Sequence, residues 1–212
     1  MQPFQRLAAT ACPLPYANID TDQLIPARFM KRSRAEGYGG YLLHDMRFSG
    51  EGTEIADFTL NQSRYRNAQI VVARRNFGAG SSREAAVYAL VDYGIRCVIA
   101  PSFGDIFASN SVNNGLLPAK VGERDGEALI GLLQETHAEL TVDLEAQTIS
   151  AKGISVPFAI DPVWRTKLLN GWDDIDITLS QADAIAYFQE KDSLIRPWVT
   201  PRIRDGAGQT TM

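Results

Sequence analysis

Two short apolar runs constrain this chain more than any other feature: Gln69-Ile70-Val71-Val72-Ala73 and Arg96-Cys97-Val98-Ile99-Ala100. Each reads as a buried strand. Between them lie a loop, Arg74 to Gly80, and a segment from Ser81 to Tyr93 with helical character, which Gly94 ends. Strand, loop, helix and strand make a βαβ unit, so the two strands should be parallel.

The pattern continues downstream. Phe103 to Asn113 reads as a short helix stopped by Asn114-Gly115, and Leu116 to Ala119 should return to the sheet. Arg124 to Thr136 is an amphipathic helix with Leu129, Leu132 and Leu133 on one side. Leu140, Val142 and Leu144 alternate and lead through a turn at 145–147 to Ile149, which predicts a hairpin. Asp161-Pro162 opens another helix that ends at Gly171, and Ser180 with Asp183 should start a last one through Glu190. Residues 1–60, with four prolines and Gly37-Tyr38-Gly39-Gly40, are expected to be mostly loops and short strands. The expectation is one domain over 1–200 and a flexible tail over 201–212.

At 212 residues, 45% of them hydrophobic, the chain can bury a core without disulfides or a structural metal. A net charge of −4 argues against a nucleic-acid binder, which carries a basic face. No run approaches the length of a membrane span, and no signal-peptide pattern stands near Met1, so a cytoplasmic protein is expected. Cys12 and Cys97 are far apart and flanked by apolar residues, which suits buried, reduced thiols. Two cysteines cannot make a standard zinc or iron–sulfur site, and His44 and His137 fall in no ligand spacing, so no metal is expected on this chain. His137 suits a surface position before a strand. His44-Asp45 is either a turn or a polarised pair. The cations Arg28, Lys31, Arg32 and Arg34 suit either a solvated face or a loop that contacts an anion.

Chemistry concentrates in Asn76-Phe77-Gly78-Ala79-Gly80-Ser81-Ser82-Arg83-Glu84, between a strand and a helix. Gly78 and Gly80 let the backbone approach a ligand and adopt positive φ. First-turn N–H groups of a helix lack internal partners and favour anions. Arg83 would add a planar donor for a carboxylate or phosphate. A plainer reading stays open: Ser81-x-x-Glu84 is also a capping box. A dinucleotide fingerprint lacks its third glycine here, and Arg83-Glu84 stands where a P-loop needs Lys-Ser/Thr.

Gly78-Ala79-Gly80-Ser81-Ser82-Arg83-Glu84 resembles the Gly-x-Gly-Ser-Ser-Arg-Glu signature of the mobile C-terminal domain of the aconitase superfamily. Ala100-Pro101-Ser102-Phe103, Ile106, Asn110 and Gly115-Leu116-Leu117-Pro118 agree. So does Asn18-Ile19-Asp20-Thr21-Asp22-Gln23-Leu24-Ile25-Pro26-Ala27-Arg28-Phe29. With Gly37-Tyr38-Gly39, Asp45-Met46-Arg47-Phe48 and Trp164, the combination is similar to the small subunits of bacterial isopropylmalate isomerases over roughly residues 4–200.

That resemblance implies an α/β fold, the swivelling β/β/α domain of the superfamily, and a hydro-lyase of leucine biosynthesis. It interconverts 2- and 3-isopropylmalate through isopropylmaleate. A large-subunit partner would carry a [4Fe–4S] cluster, and the small dicarboxylate would bind between the two chains. By position, Ser81 should be the catalytic base, and Ser82 and Arg83 should hold a substrate carboxylate. Phe29, Met30 and Lys31 match the family's specificity loop. Asp20, Thr21 and Asp22 should lie beside the site, with the carboxylates orienting Arg83; an Asx-rich turn is the plainer reading of them. Lys31 keeps a homoaconitate-type substrate open. A methylmalate- or dimethylmalate-type hydro-lyase stays open too, as does a non-catalytic anion-binding module.

Overall fold

The computed structural model describes residues 1–136 and 138–199, so the expectations for His137 and for the 201–212 tail lie outside the described residues. Seven strands, β1 (Arg6–Leu14), β2 (Ile70–Ala73), β3 (Cys97–Ala100), β4 (Leu117–Lys120), β5 (Glu139–Asp143), β6 (Thr148–Ala151) and β7 (Ile154–Pro157), form one sheet in the order β4-β3-β2-β1-β5-β6-β7. From β1 to β4 the pairing is parallel, and from β1 through β7 it is antiparallel. Eight α-helices are described: α1 (Thr21–Leu24), α2 (His44–Arg47), α3 (Ala85–Tyr93), α4 (Asp105–Asn113), α5 (Glu123–Thr136), α6 (Pro162–Asn170), α7 (Asp174–Leu179) and α8 (Ala182–Ile195). Short 3-10 turns fill much of 27–61. The chain divides into two compact units, Met1–Trp172 and Asp173–Met212. The first holds the sheet. In the second, Asp173 and Asp176 close a capping box on α7, and α7 and α8 contain no buried residue.

The expected parallel βαβ unit is β2-α3-β3. Its strands are apolar throughout because both faces of the sheet are covered. Side chains alternate between faces. Val71, Ala73, Val98 and Ala100 join a core with Val87 and Leu90 of α3. Ile70, Val72, Cys97 and Ile99 join another with Leu129, Ile130 and Leu133 of α5.

The central strand is the one the sequence hides. Residues 1–60 are expected to be irregular, yet β1 runs for nine residues and joins the two halves of the sheet. Arg6 to Thr10 pair with β5, and Ala11 to Leu14 pair with β2. Pro13 therefore sits where β1 has a neighbour on one side only, the position a strand proline tolerates because it has no N–H to donate. The expected hairpin is β5-β6, and β7 extends it through a turn at Lys152-Gly153, where both residues have positive φ. Two helix starts differ from expectation. α3 begins at Ala85 rather than Ser81, and its N-cap is Glu84, itself in a helical conformation with no side-chain cap. Ser180 closes α7, and α8 begins at Ala182.

Cys12 and Cys97 are free and fully buried in β1 and β3, and burial pushes both thiols well above the usual range. Thiolate is the reactive form. In the native protein neither cysteine should react with a disulfide reagent over the time in which both react after denaturation; a thiol count under the two conditions checks this.

Candidate active site

Open α/β sheets place ligands past the carboxyl ends of their strands. Here three loops leave those ends from β1, β2 and β3, and hydrogen bonds between them prolong the parallel pairing. The Gly78 N–H donates to the Ile19 carbonyl at 2.7 Å, and the Thr21 N–H donates to the Ala79 carbonyl at 2.9 Å. On the other side, the Phe77 N–H donates to the Ser102 carbonyl at 3.0 Å and the Gly104 N–H to the Phe77 carbonyl at 2.9 Å. Asn76, at φ 62°, donates from its side chain to Asn18, at φ 59°, over 2.9 Å. Gly78 has φ +71°, and a Cβ there would lie 2.2 Å from the Phe107 ring. Only glycine combines that conformation with that contact.

This weave brings Ser81 to Thr21. The two hydroxyl oxygens are 2.9 Å apart, and the Ser81 N–H donates to Thr21 Oγ1 at 3.1 Å. Ser81 is half-buried, whereas Thr21 is 1% exposed. Asp20 is the N-cap of α1: its carboxylate accepts from the Gln23 N–H at 2.7 Å, and its own N–H donates to Gln23 Oε1 at 3.0 Å. Arg83 donates from Nη1 to the Asp22 carboxylate, with its side chain 26% exposed. Asp22 therefore lies on Arg83, and Asp20 is occupied as a cap. Ser82 is exposed, and no acceptor among the described residues takes its N–H or that of Arg83.

Both readings of Ser81 at a helix start need correction. Ser81 lies four residues before α3, so it caps nothing. The N–H groups of Ala86 and Val87 already donate to the carbonyls of Arg83 and Glu84, so they are not free to bind an anion. Glu84 instead accepts from Asn114 Nδ2 at 2.8 Å, a link across 30 residues. The capping-box pattern is present in sequence but is not used.

Phe29, Met30 and Lys31 lie in a 3-10 turn, Ala27–Lys31. Phe29 and Met30 are half-buried and Lys31 is exposed. The Phe29 ring stacks on Tyr41, with centroids 4.3 Å apart, and lies 4.7 Å from His44. Arg28 lies over the Phe29 ring, 4.5 Å from its centroid, and clamps Asp45 through Nη1, at 2.8 Å, and Nη2. His44 Nδ1 lies 3.0 Å from Asp45 Oδ1 and 3.4 Å from Arg28 Nη2, at the start of α2. The Arg28 hydrogen bonds hold the Asp45 carboxyl down at about 2. Arg32 and Arg34 pair with Glu36 and Asp92 at 3.5 Å each, which leaves Lys31 as the cation of this run with no ion pair among the described residues. No hydrogen bond or ion pair among the described residues links Phe29, Met30 or Lys31 to Ser81 or Arg83.

Sequence reasoning did not anticipate the Arg28–Asp45 clamp, Phe107 beneath Gly78, or the Asn18–Asn76 pair. The asparagines carried a signal, since asparagine is a frequent non-glycine residue at positive φ. The clamp carried none, because a charge pair 17 residues apart has no spacing rule.

The donor set does not fit a metal cluster. Both thiols are buried on separate strands, and the described residues include no group of three His, Cys, Asp or Glu side chains able to hold an ion. No helix among the described residues is long and apolar enough to cross a membrane.

Residues 1–124 match the family described as the aconitase C-terminal domain, and residues 127–162 match the LeuD_N family. The chain is similar to a protein of Rhodospirillum centenum named 3-isopropylmalate dehydratase small subunit. The two are 48% identical over 93% of this chain and 98% of the relative. A protein of the same name from Granulibacter bethesdensis is 48% identical over 96% and 98%. Among solved structures, a 3-isopropylmalate dehydratase (leuD) from Methanocaldococcus jannaschii aligns with a TM-score of 0.59 over 87% of this chain and 99% of that one. At 24% identity it shows a shared fold.

Two outcomes are expected. Gly78→Ala should destabilise the protein by about 2–5 kcal/mol, from the positive φ and the clash with Phe107 together; thermal or denaturant unfolding measures it. In Arg28→Gln the Asp45 carboxyl should titrate above its parent value of about 2, shifted toward the ordinary aspartate value of about 3.9. The sign follows from the lowered value. The clamp's contribution is present above the unfolded-state pKa and fades as pH falls from there through the folded one, which carboxyl NMR resonances would follow.

Proposed function

Since the chain belongs to the family of 3-isopropylmalate dehydratase small subunits, we propose that it completes the active site of that hydro-lyase, with Ser81 as the base and Arg83 as the carboxylate anchor. The observation that carries this is the Ser81 hydroxyl, half-buried and hydrogen-bonded at 2.9 Å, with Arg83 two residues on and already oriented by Asp22.

In the proposed reaction 2-isopropylmalate loses water to give isopropylmaleate, which takes water back to give 3-isopropylmalate, a step of leucine biosynthesis. Deprotonated Ser81 removes the proton from the carbon beside a carboxylate, and the C–H electron pair becomes the double bond as the hydroxyl departs. A serine needs preorganised donors to do this at ordinary pH. Arg83 suits its role because its fork is planar and stays charged. Asp22 occupies one guanidinium nitrogen and leaves the others for substrate. Ser82, exposed beside it, offers a hydroxyl and a free N–H to the same carboxylate.

The Lewis acid for the departing hydroxyl, an iron–sulfur cluster, is assigned to the large subunit, since the thiols here do not fit one. Phe29 and Met30 are assigned to the isopropyl group. Lys31, unpaired among the described residues, is the feature that favours a second reading, a substrate with one more carboxylate. Two free, buried cysteines suit a reducing compartment, and the cytoplasm is the proposed location.

In the complex reconstituted with a large subunit, Ser81→Ala should lower kcat by about 100-fold or more. Full hydration of isopropylmaleate by that variant would remove Ser81 from the mechanism. Arg83→Ala should lower kcat/KM by roughly 30- to 150-fold, the worth of a charge-assisted contact of about 2–3 kcal/mol. Comparing isopropylmalate with homoaconitate on the same complex decides the substrate.

A further inference from the structure

We infer that Thr21 is a positioning residue for this reaction: its hydroxyl fixes the Ser81 Oγ and donates to it once Ser81 has lost its proton. The inference rests on Ser81 acting as the base.

A threonine hydroxyl has one proton to give and two lone pairs to receive with. One lone pair takes the Ser81 N–H at 3.1 Å. The remaining contact is with Ser81 Oγ at 2.9 Å. While Ser81 is neutral, either hydroxyl can be the donor. A deprotonated Ser81 can only accept, so Thr21 must then be the donor, and a hydrogen bond to a charged oxygen is the stronger kind. The same contact therefore strengthens in the form of Ser81 that does the chemistry.

The surroundings make that donor dependable. Thr21 is 1% exposed, so water does not compete for its proton. Its backbone is held on both sides: its N–H donates to the Ala79 carbonyl at 2.9 Å, and its carbonyl accepts from the Ile25 N–H at 3.1 Å. The Asp20–Gln23 box fixes the turn that contains it. A β-branched side chain has little χ1 freedom to lose. Gly80, at φ +105°, leaves the approach clear; a Cβ there would press to 3.3 Å from Thr21 Oγ1. The other donor beside the site, Arg83, is turned to Asp22. No second side chain among the described residues hydrogen-bonds Ser81 Oγ.

The test uses the complex of both subunits with four variants: Thr21→Val, Thr21→Ser, Ser81→Ala, and the Thr21→Val/Ser81→Ala double. Thr21→Val should lower kcat by about 100-fold, the usual effect of removing one preorganised donor, and leave KM within about threefold because the substrate is not touched. Thr21→Ser should restore most of kcat. In the Ser81→Ala background, Thr21→Val should cost nothing more, since its effect runs through the Ser81 oxygen. Equal losses from Thr21→Val with and without Ser81, or a Thr21→Ser as impaired as Thr21→Val, would make Thr21 a packing residue and overturn the inference. Wild-type kcat in Thr21→Val beside an inactive Ser81→Ala would also overturn it, yet leave Ser81 as base. An active Ser81→Ala would bring down the reading beneath it. Melting temperatures and complex formation monitor folding. If valine prevents assembly, Thr21→Ala against Thr21→Ser poses the same question without the added methyl.

Discussion

Two backbone hydrogen bonds hold the candidate site together: Gly78 N–H to Ile19 O, and Thr21 N–H to Ala79 O. Neither belongs to a regular strand. They continue the parallel pairing of β1 and β2 into the loops, so that two segments some 60 residues apart in sequence meet in register. The rest of the site follows. Once Thr21 is paired with Ala79, Ser81 falls within hydrogen-bond reach of it, and Arg83 arrives opposite Asp22. The cost is borne by glycine and asparagine at positive φ, a conformation most side chains resist.

The sequence was most legible where local pattern and tertiary environment agree. β2 and β3 read as buried strands because both of their faces are covered, so no polar alternation dilutes the signal. α6 is announced by Asp161-Pro162 and closed by Gly171, each of which plays the part its chemistry suggests. β1 escaped because its evidence is non-local. It contains a proline, Pro13, and several small residues, and it is a strand only because β2 and β5 flank it. α3 was misjudged for the opposite reason: Ser81 and Glu84 have the right spacing for a cap, but tertiary bonds to Thr21 and Asn114 claim both side chains. Motif resemblance pointed to Ser81 and Arg83 as candidates. The Ser81–Thr21 contact was beyond it, because sequence order does not specify which loops touch.

The charged groups divide into exposed pairs and a few buried ones. Arg28, Arg32, Arg34 and Arg83 each have a carboxylate partner, and these pairs are at least partly exposed. Exposed pairs add little to stability, so their use is orientation. Arg28–Asp45 ties the turn that carries Phe29 and Met30 to α2, and Arg83–Asp22 aims a guanidinium beside Ser81. The deep interior has few such groups. The buried Arg47 is met by Asn61 and by the Leu42 carbonyl, and it faces the Tyr93 ring.

The change of partner within β1 makes that strand a shared spine for two cores. Ala9 and Ala11 face one of them, Cys12 and Leu14 the other. Side chains alternate with a period of two, so one residue added between Thr10 and Ala11 would exchange the faces of everything after it. Leu14 would turn toward α5 and Ala11 toward α3, while the hairpin half stayed in register. A single-codon insertion there is thus a topological error rather than a local bulge, and lineages that keep this sheet should vary the length of its loops but not of this strand.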